Sequence, residues 1–154
     1  MNRRNRLRRA SRCTALVSML TTLMFAAGCA STSRQPPGTL YAELGGETGV
    51  ADIVDQMLRE IAGDPRVAES FARSNLSRLR RLLEEQFCEI SDGPCAYSGF
   101  SMQESHRGMN VTETEFNAVV ECLIDAMETQ RVPTATQNRL LARLAPLHGD
   151  VVYR

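Results

Sequence analysis

The sequence predicts an all-α domain, and three observations predict it. Apolar residues recur at three- and four-residue spacing through residues 50–61, 76–90, 116–127 and 140–147, which places them on one face of a helix. No stretch of the body alternates apolar and polar residues long enough to make a half-buried strand. Chain breakers, Gly45-Gly46, Gly63-Asp64-Pro65, Asp92-Gly93-Pro94 and Val132-Pro133-Thr134, fall between the periodic segments.

Taken in order, Leu40 to Leu44 runs into Gly45-Gly46, where the chain turns. Val50, Ile53, Val54, Met57, Leu58 and Ile61 form the apolar stripe of the next helix, which Gly63-Asp64-Pro65 stops. A short segment holds Val67 and Phe71. Asn75 or Ser77 can cap a helix with Leu76, Leu79, Leu82, Leu83, Phe87 and Ile90 on one broad stripe. Arg78, Arg80, Arg81, Glu84 and Glu85 occupy its other side as a solvated face with i,i+4 pairs. After the loop that begins at Asp92, His106 sits on a short segment that Gly108 ends. Thr112-x-x-Glu115 is a capping box that opens a long helix carrying Phe116, Val119, Val120, Leu123, Ile124 and Met127. Thr134-x-x-Gln137 reads as a second box before Leu140, Leu141, Leu144 and Leu147. Five or six helices with 5% aromatic residues and no Trp make a lean core, part of which an apolar cofactor could fill.

Charge divides the chain. It has 18 arginines, no lysine and 18 acids, and six arginines (Arg3, Arg4, Arg6, Arg8, Arg9, Arg12) lie in the first twelve residues, where there is no acid. From Cys29 onward 12 arginines face 18 acids, a net −6, which disfavours nucleic acid as a partner. The basic start leads into an apolar run, Thr14 to Ala27, too short for a comfortable membrane span of about 20 residues. With the small residues that follow, it reads as a secretory signal over residues 1–28. Ala26-Ala27-Gly28-Cys29 looks like a bacterial lipobox, with Ala26 where Leu is commoner; Cys29 would be acylated and become the first residue. Ordinary secretion or an uncleaved anchor is the alternative. Ser31 to Gly38 is rich in Ser, Thr, Pro and Gly, so residues 29–38 read as a tether and 39–154 as one domain. The expected location is the cell envelope, lipid-anchored to a bacterial membrane and facing the periplasm or exterior.

Cysteine usage agrees with export. A bridge between Cys88 and Cys95 would close a short loop worth roughly 2.5 kcal/mol in the chain-entropy model; two buried thiols are the alternative. Cys122 lies on an apolar helix face and reads as core. There is no Cys-x-x-Cys-His for covalent haem attachment and no Cys/His cluster of zinc spacing.

An isolated histidine is more often a surface or core residue than a ligand. Here the surroundings decide. The ordered set Leu40-Tyr41, Leu44-Gly45-Gly46, Asp64-Pro65, Phe71, Asn75-Leu76-Ser77-Arg78-Leu79, Gly93-Pro94, Tyr97-Ser98-Gly99, Met102, His106-Arg107-Gly108, Phe116, Val132-Pro133 and Ala145-Pro146-Leu147 resembles the group I truncated haemoglobins. The resemblance implies a two-over-two helical sandwich that holds haem b non-covalently. It implies His106 as proximal iron ligand and Phe71 stacked on the porphyrin. Leu58, Leu79, Leu83 and Phe87 would line the distal side; Met102, Val111 and Phe116 would form the proximal and lateral wall. Arg78 and Arg81 are the candidate propionate partners, with Tyr97 as a hydroxyl partner.

The departures from that family bear on function. Leu58, Leu79 and Leu83 stand where the family usually places Tyr or Gln donors to bound dioxygen, so the distal side is expected to be apolar. Gln86, one turn further along, either reaches into the pocket as a donor or, the preferred reading, points to solvent or another helix, and His148 is expected to lie at the surface. The expected function is a membrane-tethered haem protein that binds diatomic gases, with NO or CO suited to the apolar pocket. Ligand binding is the preferred role, with NO or dioxygen redox chemistry left open although no general acid or base stands in the distal set, and the redox partner is not legible. The competing reading is a lipoprotein that uses a globin scaffold for interaction or haem transfer.

Overall fold

The computed structural model describes residues 38–154. The expected signal sequence, the acylation at Cys29 and the tether up to residue 37 lie outside the described residues.

The domain opens on α1 (Leu40–Glu43), whose first turn is closed by the Thr39 hydroxyl accepting the Ala42 N–H at 3.2 Å. Gly45 and Gly46, with φ of 93° and 65°, turn the chain into α2 (Gly46–Gly63). Gly49 lets that helix start against the end of α1: a Cβ there would fall 2.0 Å from the Leu44 carbonyl oxygen. After the short α3 (Ala68–Phe71), Asn75 rather than Ser77 caps α4 (Leu76–Ile90), its side chain accepting the Arg78 N–H at 3.0 Å. An irregular stretch leads to α5 (Met102–Ser105), and then α6 (Glu113–Thr129) and α7 (Thr134–Leu144) follow. A 3₁₀ turn, Ala145–Leu147, and the four-residue α8 (His148–Val151) complete the domain.

The two expected capping boxes part ways. The Thr112–Glu115 box forms. The box at Thr134 does not: the cap position is Pro133, Thr134 is already helical, and the Gln137 amide donates to the Val132 carbonyl at 2.8 Å. Pro133, extended at ψ 138°, takes the cap position with its carbonyl accepting the Thr136 and Gln137 N–H groups, so Thr134 falls one residue past the position where its hydroxyl could cap.

Helix α2 packs against both α4 and α6, and α7 touches both of those helices. The pairs α2/α4 and α6/α7 therefore stack as a two-over-two sandwich. Its core joins Val50, Ile53, Val54, Met57 and Ile61 of α2 to Ala118, Cys122, Leu123, Ala126 and Met127 of α6. Ala118 and Ala126, both fully buried, let the two helices approach closely. Burying a side chain such as Ile53 or Met127 contributes about 1.5–3 kcal/mol, so this seam dominates the hydrophobic term. The C-terminal tail returns to the segment before α6: Tyr153 donates to the Val111 carbonyl at 3.0 Å and Asn110 to the Arg154 carbonyl at 2.9 Å.

Candidate functional site

Helix α4 has the apolar stripe of a core helix but not the burial. Only Phe87 and Cys88 are buried; Leu79, Leu82 and Leu83 stay half-buried and Leu76 is exposed. Leu79, Leu82, Leu83 and Phe87 instead face a cavity of about 360 Å³. Met57 and Ile61 of α2, Phe71 of α3, Val119, Val120 and Leu123 of α6, and Leu144, Leu147 and Val151 near the C-terminus complete its apolar walls. Apolar area left in water costs about 25 cal/mol per Å², so a leucine-lined hollow of this size suits an apolar occupant.

The opposite wall presents His106. Ser101 begins α5 with a capping box: its hydroxyl accepts the Glu104 N–H at 3.2 Å, and the Glu104 carboxylate accepts the Ser101 N–H at 3.1 Å. These bonds, the hydroxyl's first, hold the Glu104 carboxyl below its usual range. One turn on, His106 caps the C-terminus of α5 with its Nδ1 2.8 Å from the Met102 carbonyl oxygen. A carbonyl can only accept, so Nδ1 carries the proton and Nε2 is left with its lone pair. Gly108 (φ 77°) and Asn110 (φ 50°) then reverse the chain. Thr112 and Glu115 open α6 with the second box, where the Thr112 N–H and hydroxyl keep the Glu115 carboxyl low. Ser70 of α3 adds a bond to the same carboxylate at 2.9 Å. The imidazole is thus fixed from the helix before it and the helix after it.

Among the residues expected at the site, His106, Phe71, Leu79, Leu83, Phe87, Met102, Val111, Phe116 and Tyr97 line this cavity. Leu58 does not. It packs on the hydrophobic core cluster, and Met57 and Ile61, one turn apart, take the lining instead. A single step along a helix of 3.6 residues per turn rotates the side chain by roughly 100°, enough to turn Leu58 away. The two arginines also fall outside the lining. Arg81 donates to Glu85 and, at 2.9 Å, to the Ser98 hydroxyl, while Arg78 stands exposed on the first turn of α4. Gln86, expected at the solvent or on another helix, lines the cavity and donates from Nε2 to the Met102 sulfur at 3.4 Å.

Tyr97 folds its ring back over Gly99, where a Cβ would lie 2.2 Å from the hydroxyl. Burial pushes the Tyr97 phenol up, and a hydrogen bond with Ser105 offsets part of that. With Ser70, Ser74, Gln86, Ser105, Glu115 and His106 itself it supplies the polar part of the lining. His148 is edge-on to Phe116, ring centroids 4.7 Å apart, with Nε2 3.0 Å from the Glu113 carboxylate, and it is not part of the lining. Cys88 and Cys95 are joined in a disulfide, and Cys122 is a buried thiol whose pKa burial raises.

Two features went unread in the sequence. Ser101-x-x-Glu104 has the same capping-box pattern as Thr112-x-x-Glu115 and could have located the start of α5. Met57 shares the stripe of Ile61, but periodicity does not say which part of a stripe faces a cavity and which part faces core.

The residues present fit haem. The walls are apolar, one nitrogen with a free lone pair faces in, and polar groups line part of the hollow. Among the described residues no group of three or more His, Cys, Asp or Glu could hold a bare metal ion. An iron here must therefore bring its equatorial ligands with it, as a macrocycle does.

A helical sandwich that turns one histidine into an apolar hollow is the architecture of a globin. The chain belongs to the bacterial-like globin family, whose model matches residues 39–153. It is similar to the group 1 truncated hemoglobin GlbN of Nostoc sp., 29% identical over 114 residues that cover 74% of this chain and 97% of that one. The group 1 truncated hemoglobin of Tetrahymena thermophila is 30% identical over 90 residues, 58% of this chain and 73% of that protein. In structure the chain resembles the truncated hemoglobin of Tetrahymena pyriformis in its Fe(III) form, with a TM-score of 0.73 and 25% identity over 75% of this chain and 99% of that one. The 2/2 hemoglobin of Synechococcus shares the fold with a TM-score of 0.71 over 75% of this chain and 99% of that one, at 20% identity.

Proposed function

We propose that this protein binds haem b non-covalently, that His106 would hold its iron, and that the leucine-lined part of the same cavity would receive a diatomic gas. One observation carries the proposal: Nδ1 of His106 is committed to the Met102 carbonyl, which leaves Nε2 free in a cavity lined mainly by apolar side chains. Metal-binding histidines are held in this way, and the bond fixes the tautomer and the ring. The relatives' names and family membership support the same reading. When bound, haem supplies an iron with one position left for an exogenous ligand.

The protein's own residues then set which ligand stays. Leu79, Leu82, Leu83 and Phe87 exclude water and offer no hydrogen-bond donor. A ligand that gathers negative charge, as dioxygen does, gains little from such a wall, whereas NO and CO lose little by it. Phe71 and Phe116 close the sides of the slot, and Tyr97 and Ser105 are the polar groups suited to the carboxylate edge of the cofactor.

The reading includes a cell-envelope location with acylation at Cys29. Its support is the arginine-rich start, the short apolar run, the Gly28-Cys29 pair and a disulfide in the domain, since such bonds persist in oxidising compartments. The test of the cofactor claim is an absorption spectrum of the purified protein after haem is supplied. A Soret band that shifts on reduction and again on adding CO is the expected result; a colourless protein rejects the proposal.

A further inference from the structure

The Cys88–Cys95 disulfide spans the two walls of the cavity. Cys88 follows Phe87 in the last turn of α4, the helix that carries the leucine wall. Cys95 begins the irregular segment that runs through Tyr97 into α5, the helix that carries Met102, Ser105 and His106. The bridge therefore fastens the leucine wall to the approach of the histidine wall.

Without it, the segment is held by weaker ties. Glu85 accepts the Ser98 N–H at 3.0 Å and its hydroxyl at 2.6 Å, and Glu89 accepts the Tyr97 N–H at 3.2 Å. These bonds, and that of Arg81 to the Ser98 hydroxyl, are exposed and hold a loop poorly, and the half-buried tie from α4 to α5 is the Gln86 amide on the Met102 sulfur, a weak acceptor. Elsewhere the α2/α6 seam is close-packed and carries no sulfur cross-link among the described residues.

The two sulfurs differ in access. Cys88 is 2% exposed, while Cys95 is an exposed residue. Gly93 folds over Cys88, where a Cβ would lie 2.6 Å from its sulfur. Cys95 is therefore the exposed end of the bridge, the one at which we place attack by an incoming thiolate.

We propose that Cys88–Cys95 is a thiol-exchange site whose reduction loosens the cavity and releases haem; this rests on the haem-binding reading above. The co-reactant is a dithiol of the protein-reductase class. Its thiolate attacks Cys95 Sγ and forms a mixed disulfide, and the Cys88–Cys95 bond breaks with Cys88 leaving as a thiolate that takes up a proton. The second thiol of the reductant attacks the mixed disulfide, so the reductant is oxidised to its disulfide and Cys95 is released as a thiol. With the strap open, Tyr97 and the start of α5 separate from α4, and the slot widens at that end.

The test uses the haem-loaded protein. The rate of haem transfer to excess apomyoglobin is followed by absorbance for the disulfide form, for protein reduced and alkylated before the reductant is removed, and for Cys88→Ala/Cys95→Ala. Mass spectrometry counts the free thiols, and far-UV circular dichroism follows the melt. We expect haem loss to speed up about tenfold in the reduced protein and in the double variant, with both still folded at the assay temperature. Rates within about twofold of the disulfide form overturn the proposal and leave haem binding standing. Unfolding of both at the assay temperature also overturns it, because the bridge would then be a staple of the whole fold. A protein that takes up no haem in any form rejects both readings.

Discussion

The Nδ1 atom of His106 lies 2.8 Å from the carbonyl oxygen of Met102, one turn back along the chain. A carbonyl only accepts, so this bond selects the Nδ1–H tautomer and leaves Nε2 as the nitrogen available to iron under the proposed reading. His106→Ala is therefore expected to abolish most haem uptake, and added imidazole is expected to restore an iron-ligand spectrum in part. The measurement is haem content per chain with and without imidazole. An unchanged spectrum in the variant would remove His106 from the iron.

Under the proposed reading, the leucine wall governs ligand retention. Leu83 lines the cavity and Leu58 does not. A donor bond to a charged acceptor is worth about 1.5–3 kcal/mol, a factor of roughly 10 to 100. Leu83→Gln is expected to slow dioxygen release by at least about tenfold, whereas Leu58→Tyr changes it by less than about threefold. Stopped-flow dissociation of both variants checks the pair, and a large effect at Leu58 would place that side chain in the pocket after all.

Cys29→Ser tests the anchor. Several acyl chains hold a protein on a membrane where a single chain holds it marginally. The substitution is expected to move the protein into the soluble fraction or to leave an uncleaved precursor. A mature N-terminus elsewhere, free of lipid by mass spectrometry, would reject the assignment.

How much of this was legible in the sequence depended on whether the determinant was local. The α4 and α6 stripes, the Thr112 box and the break at Gly63-Asp64-Pro65 are local patterns, and each became the element expected. Pro133 overrode the Thr134 box because its own carbonyl accepts the Thr136 and Gln137 N–H groups as the cap residue, which puts Thr134 inside the helix. The distal set was harder. Met57, not Leu58, faces the cavity, because helix rotation about its own axis is set by the packing of α2 on α6 and not by spacing. Arg81 likewise has no signal for its choice of partner: Glu85 lies one turn away, but Ser98 comes from a distant loop.

Gln86 is the one amide that lines the hollow, and its position argues against a role over the iron. It reaches from α4 to Met102 at the start of α5, a contact of 3.4 Å between opposite walls. Where two walls touch directly, no porphyrin passes between them, so Gln86 marks an edge of the slot. Gln86→Leu is accordingly expected to leave dioxygen release within about threefold of the parent. A speed-up of tenfold or more would show that the amide leaves the thioether, a weak acceptor, and turns to the bound ligand.

Acid should loosen the hold on His106 through the two capping boxes. Glu104 and Glu115 both titrate below their ordinary value of 4.5, Glu104 chiefly through the Ser101 hydroxyl and Glu115 chiefly through the Thr112 N–H. A carboxyl with a depressed folded pKa contributes its stability above the unfolded value and loses it as pH falls through the folded one. Haem retention governed by these groups is therefore flat from neutrality down to about pH 5 and falls below it. Glu104→Gln keeps an acceptor for the Ser101 N–H but cannot titrate. It is expected to bind haem normally at pH 7 and to lower the acid midpoint of haem loss by about half a pH unit. The Soret band followed against pH in parent and variant gives the answer; coincident curves would mean that the Glu104 box does not govern the acid release.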